Sequence, residues 1–357
     1  MRVFNDSCLF LCFNFILKKF EKVIGNNYTL VLIDGSFLLT RALFAVTRGK
    51  DPGEVKPGEL MKVNLQTINR LGRDWKISGS KVIIVWDKWA PEYGGYIRHH
   101  LLRDHLTYKS SRKIVTEDDL KGLSGEELKK AEREVKLNNL KQETKAAMIK
   151  EFPKLGIQNY YFPGYEFDDI ATLASFELSG KTELPCVIVT KDTDLTYSLS
   201  PGFHFFKLPT YGSEPKIVTY DEMVLQIPAG LRSRGLGLYQ FGAMLNSSGF
   251  LGHNDLIVTK KKGAKMEETL EQIMDGNFSG LKDPELYQLQ FSTYNIPAFP
   301  NYPAVLEDVH HFLSDGSSGS TFEFERVVRE YEMEGIDREY YLSIIARFDE
   351  RYFSNNK

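Results

Sequence analysis

Three runs of apolar, mostly β-branched residues, each closed by an aspartate, restrict this chain more than any other feature. They are Thr29 to Ile33 before Asp34, Val82 to Trp86 before Asp87, and Cys186 to Val189, which leads through Thr190 and Lys191 to Asp192. Short uninterrupted apolar runs are the pattern of strands buried on both faces. Between them lie helical patterns: Phe37, Leu38, Leu39, Ala42 and Leu43, then Leu60 to Trp75, then Ile170, Leu173, Ala174 and Leu178. Strand and helix in alternation predict βαβ units, hence an α/β fold with a central, mostly parallel sheet covered by helices on both faces. Ligands bind such sheets outside the carboxyl ends of the strands. Asp34, Asp87 and Asp192 are therefore expected on one edge.

A second group of acids belongs with them. Glu166, Asp168 and Asp169 open the third helical pattern, and Asp194 follows Asp192 by two residues. Any one of these could be no more than a helix cap or a first-turn acid complementing the helix dipole. All seven on one edge would repel one another without a cation. Oxygen ligands select Mg²⁺ or Mn²⁺, and the absence of a His/Cys cluster in the sequence argues against zinc.

The remainder of the chain sets the context. With 357 residues, 42% apolar and 26% charged, it is long enough for a sizeable core and has the composition of an ordinary globular protein. The net charge of −3 hides a division, because acids gather at strand ends while Lys and Arg gather in 88–150 and 260–265. Three cysteines, Cys8, Cys12 and Cys186, form no metal-ligand spacing or disulfide framework and suit a reducing cytoplasm. The apolar run Cys8 to Leu17 mimics a secretory core, but it is too short to span a bilayer and runs into Lys18, Lys19 and Lys22. It is read as an amphipathic N-terminal helix. No transmembrane segment or internal repeat is evident.

Residues 88–150 mix cations with aromatics. Arg98, Arg103, Tyr108, Lys109, Arg112 and Lys113 are suited to neutralising phosphates and stacking on unpaired bases. Gly125 to Lys150 reads as a heavily charged helix, a pattern that on its own usually marks a solvated face. Further on, Phe203 to Leu208 and Lys216 to Val218 suggest a hairpin, and Asp221 to Ile227 a short helix. Lys260, Lys261, Lys262 and Lys265 surround Gly263 before a helix at Met266 to Ile273, a candidate phosphate clamp. A charged helix is expected from Phe322 to Phe353.

These pieces together resemble the 5′ nuclease superfamily of flap endonucleases and 5′→3′ exonucleases, most nearly its bacteriophage branch typified by the T-even RNase H. The motifs are LIDGS with Arg41-Ala42 following, VWD at 85–87, YKSSRK at 108–113, YEFDD at 165–169 and TKDTDL at 190–195. The resemblance implies a 5′ nuclease core over 28–220 with a helical arch at about 88–150, an N-terminal extension over 1–27, and a smaller helical DNA-binding region over 221–357. It implies two Mg²⁺ ions, with Mn²⁺ as a substitute. Asp34, Asp87, Glu166, Asp168, Asp169 and Asp192 would hold the first, and Asp194 would help with the second. Catalysis would rest on Asp34, Asp87, Asp169 and Asp192, with Lys109 and Arg112 at the scissile phosphate. Arg41, Arg98, Arg103, Tyr108, Lys113 and the lysines at 260–262 and 265 would bind nucleic acid.

One motif departs from the pattern. The family's Gly-Asp-x-x-Asp-Asn is here Gly252-His253-Asn254-Asp255. Either Asp255 substitutes as a metal ligand or the second site is weakened. The implied task is the removal of RNA primers from DNA and RNA–DNA hybrids by a monomer, in phage replication within the host cytoplasm, beside a single-strand-binding protein and a sliding clamp. The competing readings are a PIN-type ribonuclease, a Toprim-type catalytic domain, and a non-cutting scaffold for branched DNA.

Overall fold

The computed structural model describes residues 27–75, 77–102, 116–209, 215–250, 266–313 and 319–336. The three apolar runs form β1 (Asn27–Asp34), β2 (Ser78–Val85) and β4 (Cys186–Thr190). They lie side by side in a six-stranded sheet of order β3-β2-β1-β4-β5-β6, completed by β3 (Ile157–Tyr160), β5 (Phe203–Lys207) and β6 (Lys216–Thr219). Every neighbouring pair is parallel except β5 with β6. From β1 the chain builds outward to β2 and β3, then returns to add β4 on the other side. The order therefore reverses between β1 and β4, the place where sheets of this kind bind ligands.

Alternation along the strands divides the core in two. Leu30, Leu32, Ile83, Val85 and Ile188 face one side, where α5 (Phe167–Glu177), α8 (Leu238–Ser247) and α11 (Tyr302–His311) cover them. Val31, Ile33, Ile84, Val187 and Val189 face the other, covered by α1 (Gly35–Thr47), α2 (Pro57–Arg73) and α4 (Gly125–Glu151). The runs in β1, β2 and β4 thus lose both faces to the interior, which is why they are uninterruptedly apolar. Between these elements lie the short helices α3 (Ile97–Leu102), α6 (Tyr220–Val224) and α7 (Ala229–Ser233), then α9 (Met266–Met274) and α10 (Pro284–Ser292).

Gly35 is needed where α1 leaves β1. A Cβ at that position would meet the Trp86 ring at 2.6 Å, so the ring at the end of β2 can close over the turn only above a glycine.

Two expectations are revised. The charged run Gly125 to Lys150 is a helix, but not a freely solvated one. Leu140, Thr144 and Met148 are buried against the second face, and Lys136 pairs with Asp51 at 3.0 Å. Its apolar residues recur at helical spacing beneath a charged exterior, so the second half of the expected arch is packed onto the body. The expected helix from Phe322 is interrupted: α12 (Thr321–Glu330) ends at Glu330 and turns follow to Gly335, while the remainder of the expected stretch, 337–353, lies outside the described residues. Phe324, Val327 and Val328 insert into the second face beside α2 and α4. Gly58 permits this: a Cβ there would lie 1.8 Å from the Tyr331 carbonyl oxygen.

Candidate active site

Four segments deliver acids to the carboxyl edge of the sheet. Asp34 ends β1 and caps α1, its Oδ1 accepting from the Phe37 N–H at 2.9 Å. Its Oδ2 accepts from the Thr190 hydroxyl at the end of β4, at 2.8 Å. Asp87 follows β2, and its Oδ1 accepts from the Phe167 N–H at 2.8 Å, tying the strand to the first turn of α5. Asp192 caps the 3₁₀ turn Thr193–Ser198, its Oδ1 accepting from the Asp194 N–H at 3.1 Å. The hydroxyl that donates to Asp34 also accepts from the Asp192 N–H at 3.3 Å, so Thr190 spans the switch point. Glu166 caps α5, with Asp168 and Asp169 in its first turn.

The acids share one electrostatic field. Burial lifts the Asp34 carboxyl to about 7, and the charges of Asp87 and Asp192 add to the rise against the Phe37 and Thr190 hydrogen bonds. Asp168 is raised well above its ordinary value, first by desolvation and then by Asp192, with Glu166 and Asp87 acting the same way and Arg98 opposing. Asp87 and Asp192 thus act on both Asp34 and Asp168, and Glu166 acts on Asp168, although these acids are scattered along the chain. Like charges crowded in this way call for a cation.

The all-oxygen donor set fits a hard divalent ion. Among the described residues, however, no three His, Cys, Asp or Glu side chains close on a common point as a finished ligand set. Protein donors hold several of the oxygens. Asp169 is the extreme case: buried, with Oδ2 accepting from the Glu166 N–H at 3.1 Å and Oδ1 2.6 Å from Arg98 Nη2. The Arg98 guanidinium also lies 5.7 Å from the centre of the Tyr294 ring.

Arg41 lies on α1, where burial lowers its pKa first and the charge of Arg70 second. The expected residues Arg103, Tyr108, Lys109, Arg112, Lys113, Asp255, Lys260, Lys261, Lys262 and Lys265 lie outside the described residues. Two participants were not anticipated. Thr190 stands in the sequence as a link between an apolar run and Asp192, and Lys145 is one of many charges in Gly125 to Lys150. Lys145 Nζ donates to the Asp87 carbonyl oxygen at 2.9 Å and lies 5.2 Å from the Trp86 ring centre. Burial lowers its pKa while Asp87 opposes the change. No spacing along α4 reveals which of its lysines turns inward to that carbonyl.

Comparison with known proteins agrees with this architecture. Residues 29–226 match the family described as 5′-3′ exonuclease, N-terminal resolvase-like domain. The fold is similar to that of the bacteriophage T5 D15 flap endonuclease, solved as a pseudo-enzyme–product complex with DNA and metal ions. That likeness has a TM-score of 0.52 at 14% identity, covering 80% of this chain and 100% of the phage protein. Flap endonuclease-1 from Methanococcus jannaschii aligns with a TM-score of 0.47 at 15% identity, over 90% of this chain and 94% of that one. No curated protein matches the chain.

Proposed function

This chain belongs to the 5′→3′ exonuclease family with an N-terminal resolvase-like domain, a hydrolase of the exonuclease and flap endonuclease class, and from that premise we propose its substrate and its working parts. The substrates are 5′ ends and 5′ flaps of DNA and of RNA–DNA hybrids, and the reaction is hydrolysis of the phosphodiester bond. Primer removal during phage replication, in the host cytoplasm beside a single-strand-binding protein and a sliding clamp, is the role this reading assigns. No helix among the described residues is long and apolar enough to cross a membrane.

The observation that carries the reading is the shared field of Asp34, Asp87, Asp168 and Asp192, delivered by β1, β2, α5 and β4 to the switch point of the sheet. Asp34, Asp87, Glu166, Asp168, Asp169, Asp192 and Asp194 are the residues that would hold Mg²⁺ or Mn²⁺, with Asp255 a further candidate. When bound, such ions supply Lewis-acid charge to the attacking water and to the leaving oxygen. The protein's own part is to orient the acids through Phe37, Thr190 and Phe167 and to bring cations to the phosphodiester, with Lys109 and Arg112 assigned to the scissile phosphate.

Cleavage of a 5′-labelled flap in Mg²⁺ tests the reading. Asp87→Asn keeps an acceptor for the Phe167 N–H while removing the charge. It is expected to lower the rate on the order of 10²-fold or more, as loss of a preorganised electrostatic group does. Unchanged cleavage would remove Asp87 from the mechanism.

A further inference from the structure

Arg98 is placed where the acids most need positive charge. It stands in the first turn of α3, directly after Ile97, which is buried and donates its N–H to the Gly164 carbonyl at 2.8 Å. Gly164 lies two residues before Glu166 and adopts a positive φ of 85° with the Tyr93 and Ile97 side chains packed against it. The base of Arg98 is thereby fastened to the loop that presents the acids of α5. Its guanidinium is mostly buried at 15% exposure, with Asp169 on one side and the Tyr294 ring on the other. The Tyr239 hydroxyl donates to the Tyr294 carbonyl at 2.8 Å and steadies that wall. Among the largest influences on Asp168, the charge of Arg98 favours the ionised form while those of Asp192, Glu166 and Asp87 oppose it.

We propose that Arg98 is an internal counter-ion of the catalytic edge: its guanidinium neutralises the acids of α5 in the DNA-free protein, opposes the entry of a divalent ion, and is drawn away when a phosphate of the nucleic acid arrives. The inference rests on the metal-nuclease reading above and adds a regulation of the same site. Arginine remains charged at any working pH, so its opposition ends by movement, not by deprotonation. A divalent ion beside Asp168 faces both the repulsion of the guanidinium and the one negative charge that the guanidinium offsets. A phosphodiester offers the planar guanidinium of Arg98 two non-bridging oxygens, a bidentate partner in exchange for Asp169. Metal and nucleic acid then favour each other's binding, and by linkage the effect is reciprocal. The protein alone holds metal weakly, and full metal loading follows substrate.

The test is Mn²⁺ affinity of the full chain, read by the electron paramagnetic resonance signal of free Mn²⁺, for wild type, Arg98→Met and Arg98→Lys. Without DNA, Arg98→Met is expected to bind Mn²⁺ at least about tenfold more tightly than wild type, and Arg98→Lys to stay near wild type. Adding a single-stranded oligonucleotide should tighten Mn²⁺ binding to wild type and leave Arg98→Met unchanged. Equal or weaker binding by DNA-free Arg98→Met overturns the proposal, and if wild type still cleaves flaps in Mg²⁺ the nuclease reading survives that failure. Absence of Mn²⁺ binding in every form overturns both. Should Arg98→Met fail to fold, ¹⁵N-arginine spectra of wild type answer the same question. The Nε–H signal missing from Arg98→Lys should shift or exchange faster on addition of Mg²⁺, and a signal unmoved at saturating Mg²⁺ overturns the proposal.

Discussion

The Thr190 hydroxyl donates to Asp34 Oδ2 at 2.8 Å and thereby joins the ends of β4 and β1 at the point where the strand order reverses. Because the same oxygen accepts from the Asp192 N–H at 3.3 Å, one buried hydroxyl sets the distance between two acids of the site. Thr190→Val preserves shape but strands both partners. It is expected to cost about 1 kcal/mol of stability, read by urea denaturation, chiefly because the half-buried Asp34 carboxylate loses a donor. Flap cleavage should fall about tenfold through misplacement of the acids, while Thr190→Ser, which keeps the hydroxyl, should stay within about twofold of wild type.

The raised pKa of Asp34 gives a prediction about pH. Its carboxyl titrates near 7 in the folded chain against 3.8 as the ordinary value, so the folded state binds this proton more tightly than the unfolded state. The stabilisation from its protonation is complete below about 4 and disappears as pH rises through about 7. In chelator-treated protein, Asp34→Asn should flatten the fall in Tm between pH 4 and 8 and be the more stable form at pH 8. Mg²⁺ should raise the Tm of wild type at pH 8 more than that of Asp34→Asn. A wild-type Tm curve matching that of the variant would refute the crowding of charge around Asp34.

Glu151 behaves in the opposite sense. Its side chain is fully buried at the end of α4, and burial alone would raise its pKa. Hydrogen bonds from Lys154, Arg326 and Lys150 prevail and bring it to about 2. The resulting stability is present above about 4.5, its ordinary value, and is lost as pH falls toward 2. Arg326 reaches Glu151 from α12, so the pair ties the terminal helix to the second face of the sheet. Arg326→Met should lower stability at pH 7, by less than the full cost of breaking a buried pair because Arg326 is partly solvated. The difference between variant and wild type should shrink as pH falls to 3, measured by the urea midpoint.

How far the sequence could be read follows from which physical signals are local. The three apolar runs ending in aspartate identify β1, β2 and β4, because burial on both faces leaves no polar position inside a strand. Strand β3 escapes notice: Ile157 to Tyr160 is four residues long, has the adjacent polar pair Gln158 and Asn159 at its centre so that neither a continuous apolar run nor an alternation shows, and pairs only with β2 at the sheet edge. The apolar face of α12, Phe324, Val327 and Val328 at helical spacing, was legible but overshadowed by its charges. Convergence of the acids was also legible, since parallel strands must end on one edge. Which cation would face which acid was not. Arg98 against Asp169 and Lys145 against the Asp87 carbonyl depend on the path of the insertion between β2 and β3, which periodicity does not encode.

Lys145 supplies the last prediction, because its position separates a structural charge from a substrate-binding one. Its ammonium is spent on the Asp87 carbonyl and lies over Trp86, the ring that also covers Gly35 at the start of α1. It therefore acts on the backbone that carries Asp87 and on the wall behind Asp34. Lys145→Met keeps the length and the apolar stem but loses both the hydrogen bond and the charge, so the chain should fold with a loss of about 1 kcal/mol. If the lysine serves to position Asp87, kcat for flap cleavage falls about tenfold with KM within about twofold of wild type, since the interaction lost is with the protein's own backbone. A variant with unchanged kcat and a KM raised severalfold, together with a shallower salt dependence of DNA binding, would instead make Lys145 a phosphate contact.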